Sequence, residues 1–212
     1  GMAANQFSFN GQGGRCDHCE GVGVVTNDLL FFEDQRVSCP VCSGRRFKDD
    51  VLSMTYRGHS ITAVLGLSVE EGAELFADSP KISAILKLLQ EVGLGYLELG
   101  QTTTTLSGGE AQRLKLAVEL LANRGKKNLY LIDEPTTGLH PLDVEKFLRL
   151  LDRMVGSGST VVVVEHNQQI IGAADWIIDL GPGGGDAGGT IIAEGTPSEI
   201  RKNENSVTGM FI

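Results

Sequence analysis

Two short apolar runs, Leu129–Asp133 and Thr160–Glu165, constrain the fold of this chain more than any other feature. Both are nearly continuous, as expected of parallel strands covered on both faces. Between them, Pro141–Val155 reads as a helix, with Pro141 at a first-turn position that needs no N–H donor. Strand, helix and strand at this spacing make a βαβ unit. Trp176–Leu180 and Thr190–Ala193 read as two further strands, joined by the glycine-rich turn Gly181–Gly189. Within that turn, Gly183-x-Gly185-x-x-Gly188 has a dinucleotide-binding form, but it opens no helix and is expected to be a hairpin turn. Upstream, Val69-Glu70-Glu71 opens one helix. Ile82, Ile85, Leu86 and Leu89 recur at helical spacing in a second, ended by Gly93 and Gly95. The expected fold class is α/β, a sheet with flanking helices. Three zones follow: a small module over residues 7–58 with all four cysteines, a helical region over 59–126, and the α/β region over 127–200.

The chain has 212 residues, 41% hydrophobic and 21% charged, so it can bury a core of ordinary size. No apolar run approaches the ~20 residues that span a bilayer, and no membrane partner is expected. The N-terminus has neither the basic nor the apolar region of a secretory signal, which points to a cytoplasmic protein. Gly1 before Met2 has the form of a tag-cleavage scar, so the sequence is expected to be a piece cut from a longer chain. The net charge of −9 argues mildly against a dedicated nucleic-acid module. Arg15, Arg36, Arg45, Arg46 and Lys48 nevertheless cluster around the cysteines, and Arg45, Arg46 and Lys48 are the candidates for any contact with nucleic-acid phosphates.

Cys16-x-x-Cys19 and Cys39-x-x-Cys42 are separated by 19 residues, within the range of four-thiolate zinc sites. Each pair offers two thiolates to one tetrahedral ion, and Gly21, Gly23 and Gly44 let backbone N–H groups turn toward sulfur. A segment with so little apolar periodicity gains from zinc the folding energy that its own core lacks. The alternatives are two disulfides or a redox pair. Zinc is favoured over them because no export signal is present and neither pair sits in a thioredoxin-like βαβ. His18 and His59 are expected bystanders. Cys16-x-x-Cys19-x-Gly21-x-Gly23 also resembles the cysteine-rich module of Hsp40 co-chaperones, so a zinc-stabilised interaction module is an alternative.

Leu106-Ser107-Gly108-Gly109-Glu110 has the form of the ABC signature. Ser107 is the expected N-cap of a helix running to about Asn123, with Glu110 as its capping-box partner. Leu114, Ala117, Val118 and Leu121 are its expected buried stripe. Unpaired N–H groups and the positive end of the helix suit this run to a γ-phosphate. Asp133 ends its strand where ligands bind in open α/β sheets, placed to hold Mg²⁺. Glu134, one residue on, is placed to polarise an attacking water. His166 ends the next strand and is expected to reach the γ-phosphate at the same edge. Thr137–Asp143 falls where ABC proteins place the dimer-contact D-loop, with Gly138 and Asp143 as its contacts. A phosphate cradle G-x-x-x-x-G-K-[ST] belongs upstream of all of these, and no stretch of the chain fits it. At the decoy Gly125-Lys126, Leu120 replaces the first glycine and Lys127 the Ser or Thr.

Taken in order, these motifs resemble the UvrA family, the damage-recognition subunits of the bacterial excinuclease. The correspondence starts at Phe7-Ser8-Phe9-Asn10 and Gly14-Arg15-Cys16, continues through both cysteine pairs, and takes in Val92–Gln101 and the LSGGEAQR helix. Leu131–Leu139, Glu165-His166-Asn167, Ala174–Pro182 and Glu194-Gly195-Thr196-Pro197 complete it, over roughly residues 7–200. The matching stretch is the back part of the second ABC half. The resemblance implies an ATP- and Mg²⁺-dependent, dimeric protein that checks double-stranded DNA for damage in nucleotide excision repair and loads UvrB. It also implies zinc on the four cysteines, in a module near the DNA. The expected protein partners are the other ABC half of the parent and a second UvrA-like subunit. Gln101 matches a family position and has no catalytic role. Without the phosphate cradle, the chain alone is expected neither to bind ATP tightly nor to hydrolyse it. A UvrA-like paralogue serving drug tolerance is the alternative within the family.

Overall fold

A computed structural model of the chain describes residues 2–27, 35–123, 126–181, 183 and 189–212. They form two compact units, Gly1–Ser79 with Leu97–Gln101, and Pro80–Tyr96 with Thr102–Ile212.

In the first unit the antiparallel pair β1 (Val24–Asn27) and β2 (Gln35–Ser38) rises between the cysteine pairs. Short elements follow: α1 (Asp49–Leu52), β3 (Thr55–Tyr56), β4 (His59–Ser60), α2 (Ile61–Leu65) and α3 (Val69–Leu75). The four cysteines are themselves a buried cluster, with Val25 packed against it. Phe47 and Val51 are fully buried as well. Ser60 caps α2, and Ser68 with Glu71 forms a capping box on α3. The returning segment Leu97–Gln101 is stitched to the residues just before α3 by Val69 N–H to Leu97 O (2.8 Å) and Leu99 N–H to Leu67 O (2.9 Å).

The second unit contains α4 (Pro80–Glu91), α5 (Gly108–Ala122), β5 (Leu129–Asp133), α6 (Pro141–Gly156) and β6 (Thr160–Val164). Then come α7 (Gln168–Ala173), β7 (Ile177–Gly181), β8 (Thr190–Gly195) and α8 (Pro197–Ile200). β5 and β6 pair in parallel, Leu129 opposite Thr160 through Asp133 opposite Val164, so the expected βαβ unit is present. Pro141 starts α6, and the His140 side chain caps it by accepting from the Leu142 N–H. Gly93 ends α4 at φ +76°, where a side chain is disfavoured. β7 and β8 are antiparallel neighbours that close at Gly181 opposite Thr190. Gly185 and Gly188 of the expected hairpin turn lie outside the described residues, as does Gly125 of the cradle decoy.

Four expectations need correction. The β5–β6 pair is covered on one face only: α6 buries Val144, Phe147, Leu150, Leu151 and Met154, while Leu129, Leu131, Val162 and Val164 stay exposed. One crossover helix covers one side of a sheet, and the apolar pattern alone does not say what lies on the other. The α5 stripe is rotated by about one residue: Arg113, Leu116 and Ala117 are buried, Leu114 and Leu121 are half-buried, and Val118 faces out. The cause is Arg113, whose side chain turns inward to satisfy backbone carbonyls. In α4 it is Leu86 and Leu88, with Ser83, that are buried, while Ile82 and Ile85 are exposed. β6 also ends one residue early, at Val164, so Glu165 and His166 both lie in the loop that follows rather than at the strand end.

Candidate functional site

The two cysteine pairs are conformational copies of each other. After Cys19, Glu20 and Gly21 take φ +51° and +83°; after Cys42, Ser43 and Gly44 take +51° and +81°. The left-handed glycine reverses the chain under each pair, and a Cβ at Gly21 would sit 2.5 Å from the Phe9 carbonyl oxygen. All four cysteines are buried and unbridged, with sulfurs within 4.8 Å of one another. Cys16 and Cys39 sulfurs are 4.0 Å apart and those of Cys19 and Cys42 are 3.6 Å apart, far beyond the ~2.05 Å of a disulfide. Four sulfurs ~2.3 Å from a tetrahedral ion stand about 3.8 Å apart, so the cluster fits one metal ion. Gly23 N–H donates to Cys19 Sγ at 3.3 Å, which supports thiolate character, and His18 Nδ1 lies 3.4 Å from Cys39 Sγ. Burial opposes ionisation of Cys39, but the N–H groups of Cys42 and Val41 outweigh it and bring that thiol down to about 6. At Cys42 burial, reinforced by the neighbouring sulfurs, prevails and pushes the thiol up to about 12. A divalent cation would let all four ionise together.

The three candidate DNA-contacting residues lie beside this cluster and are engaged within it. Arg46 donates to the carbonyls of Gly21 and Gly100 at 2.8 Å each and stacks on the Phe9 ring. Arg45 pairs with Asp49, and Lys48 with Asp17 at 2.7 Å. Arg45 and Lys48 remain about half exposed, whereas Arg46 holds its own module together.

In the second unit, Ser107 caps α5 through the Glu110 N–H, and Glu110 accepts from Ser107 N–H at 2.6 Å. Tyr96 donates to the other Glu110 oxygen. These bonds, Tyr96 first, hold the Glu110 carboxyl below the usual carboxylate range. Nothing lies within 4 Å of a Cβ built on Gly108, while one on Gly109 would be 2.9 Å from the Thr137 carbonyl oxygen. The first turn of α5 is therefore pressed against the turn that follows β5.

That turn is gripped from α5 at three points. Gln112 donates to the Asp133 carbonyl at 2.5 Å, and Arg113 Nη1 to those of Pro135 and Thr137 at 3.3 and 3.0 Å. Arg113 is only 1% exposed, has no ion-pair partner among the described residues, and leaves Nε without an acceptor. Asp133 lies on the open face with Leu129 and Leu131. Glu134 bonds to Val164 O as if to continue β5, then turns at φ +43°, a conformation that costs a non-glycine residue on the order of 1–3 kcal/mol. The turn brings its carboxylate to 3.4 Å from His166 Nε2 in the loop after β6. Both side chains are exposed, as groups acting on an incoming ligand must be. Farther along, Gly138 adopts φ +76° in open space, and Asp143 pairs with Lys146 in the first turn of α6. Thus Asp133, Glu134 and His166 share one strand edge beside the α5 N-terminus, while Asp143 is engaged locally.

Four contributors escaped the sequence reading: Gln112, Arg113, Thr136 and Glu165. Arg113 and Glu165 stood inside the motif strings without a role. The available signal was chemical, since a charge at the inner stripe of a helix or at the end of an apolar strand needs partners.

The family profile described as ABC transporter matches residues 18–137. The chain is 52% identical to UvrABC system protein A of Borreliella burgdorferi over 212 residues, all of this chain and 22% of that protein. It is 50% identical to the protein of the same name from Aquifex aeolicus, covering all of the chain and 23% of that relative. The crystal structure of UvrA2 from Deinococcus radiodurans superposes with a TM-score of 0.86 at 50% identity, over 99% of this chain and 26% of that one. The chain therefore spans between a fifth and a quarter of the length of the curated relatives it matches. Among the described residues no helix is long and apolar enough to cross a membrane. With its βαβ unit, capped signature helix and strand-end carboxylates, the chain belongs to the ABC transporter family of ATP-binding cassettes.

Proposed function

We propose that this chain is the signature and catalytic-carboxylate portion of an ABC half in a cytoplasmic, UvrA-like repair ATPase. The single observation that carries the reading is the strand edge where Glu134 meets His166, next to Asp133 and the free N–H groups at the start of α5. Asp133 would hold Mg²⁺, and Glu134 would orient and deprotonate the attacking water. His166 would contact the γ-phosphate. A Mg²⁺ ion held there would supply positive charge toward the phosphate oxygens. Ser107, Gly108 and Gly109 would receive the γ-phosphate of a nucleotide held on another ABC half, and Gly138 and Asp143 would meet that half. Cys16, Cys19, Cys39 and Cys42 would hold structural zinc. In the intact protein, hydrolysis would be coupled to inspection of damaged duplex DNA and to loading of UvrB.

The 212-residue chain alone is expected to show no ATP turnover, because no segment of it has the form of a phosphate cradle. Turnover that is measurable and lost on Glu134→Gln overturns that statement. In the intact protein the same substitution is expected to lower kcat by about 10²–10⁴-fold; unchanged hydrolysis removes the catalytic reading. One second reading within the family is a UvrA-like paralogue serving drug tolerance. Tighter binding of the intact protein to lesion-containing than to undamaged duplex supports repair, and equal binding supports the paralogue.

A further inference from the structure

Glu165 has no part in the hydrolytic reading above, yet its carboxylate is fully used. One oxygen accepts from the Thr136 N–H at 2.9 Å and from the Thr136 hydroxyl. The other accepts from the N–H groups of His166 and Asn167 at 2.7 and 2.9 Å. The first pair of donors lies two residues beyond Glu134, in the turn after β5. The second pair begins with the backbone of His166 itself, in the loop after β6. The His166–Glu134 contact also crosses between the loops, but no other side chain among the described residues accepts from backbone N–H groups of both. The turn it holds is the one in which Glu134 adopts φ +43° before a proline, a backbone that relaxes unless its neighbours are fixed. Glu165 itself is half-buried, its carboxylate occupied on both sides.

We propose that Glu165 is a positioning residue that locks the β5 and β6 loops together, and so fixes Glu134 and His166 in register with each other. It touches neither nucleotide nor water; it acts through the two backbones. The proposal rests on the ATPase reading only for its catalytic consequence, because the clamp is a property of the chain as it stands. Burial works to raise the Glu165 carboxyl, but the hydrogen bonds from Thr136, Asn167 and His166 outweigh it and hold it below the usual carboxylate range. The acceptor is therefore ionised at neutral pH, and each of its bonds is charge-assisted. An amide in its place turns one N–H₂ toward two donors and must release one loop.

Two measurements test this. In the 212-residue chain, Glu165→Gln is expected to speed amide exchange at Thr136, His166 and Asn167 together by about ten- to hundredfold, as loss of a charge-assisted hydrogen bond implies. Exchange at Ile132 and across α6 should not change. Faster exchange in one loop only, or in neither, overturns the clamp. In the intact protein, Glu165→Gln is expected to lower kcat by about tenfold or more while KM for ATP stays within about twofold, the result of misplacing catalytic groups without touching the nucleotide's cradle. Thr136→Val, which keeps the other donors, is expected to shift kcat in the same direction by less. An unchanged kcat, or a loss expressed equally in KM, overturns the positioning role. Absence of turnover in the intact wild type overturns the ATPase reading and the catalytic half of this proposal, whereas amide exchange decides the clamp by itself.

Discussion

Arg113 Nη1 donates to the Thr137 carbonyl oxygen at 3.0 Å, joining the inner face of the signature helix to the turn that carries Glu134. Because Arg113 is buried and faces carbonyls rather than a carboxylate, its value lies in pairing the Pro135 and Thr137 carbonyls within the fold. Arg113→Ala is expected to destabilise the chain by about 2–4 kcal/mol, through two orphaned carbonyls and the void left behind. Arg113→Lys, which retains one donor, should cost less. Urea unfolding measures both; a midpoint shift for the alanine variant equivalent to less than ~0.5 kcal/mol removes this account.

The adjacent glycines of the signature are expected to behave differently. Gly109→Ala places a methyl group 2.9 Å from Thr137 O, and the backbone must yield. A loss of about 1–3 kcal/mol is expected, typical of overpacking. At Gly108, the first residue of α5, the same methyl meets nothing within 4 Å, and alanine carries less backbone entropy to lose than glycine. Gly108→Ala should therefore keep or slightly raise the melting temperature while weakening nucleotide-dependent pairing of ABC halves. Equal melting temperatures for the two variants would show that the close approach at Gly109 does not constrain the fold.

Elemental analysis of the purified chain is expected to give about one zinc per molecule. A strong chelator, or Cys39→Ser, should unfold the cysteine module because the metal supplies much of its folding free energy, about 10–16 kcal/mol in isolated zinc-finger peptides. Far-UV and near-UV circular dichroism report the loss. A metal-free chain that retains near-UV signal and bound thiol reactivity unchanged would rule out a structural ion.

Acid should erase the stabilising effect of Glu165. Its pKa is lower in the folded chain than in the unfolded one, so its contribution is present above the unfolded value of ~4.3 and fades as pH falls through the folded value. Wild type is expected to melt higher than Glu165→Gln at pH 7, with the gap closing progressively below about pH 4, where the protonated acid resembles the amide. A gap that persists undiminished under acid would mean that the ionised carboxylate is not what stabilises the two loops.

The legible part of the site was the part written locally. The Ser107–Glu110 cap, the Pro141 helix start and the Gly93 helix end each depend on residues within one turn of chain, and each is found where expected. The cysteine spacing likewise anticipated a single four-sulfur cluster. Asp133 ends β5 as expected, and the parallel pairing of the two apolar runs brings it to one edge with Glu134 and with His166 of the loop after β6.

What sequence alone determined, then, is the succession of elements, their caps, and the reactive groups at strand ends. Tertiary structure decided which faces are covered and which charges face inward: Val118 and Ile85 point out, while Arg113 points in. It also joined Gln112 to Asp133 across 21 residues and Thr136 to Glu165 across 29. The physical reason is the range of the interactions. A cap or a left-handed turn is fixed by the φ, ψ and side chains of a few neighbours, whereas a buried ion's position depends on which distant carbonyls or N–H groups the folded chain leaves unpaired. Motif letters place Glu134 and His166 at the ends of their strands; the carboxylate of Glu165 connects the loops that carry them.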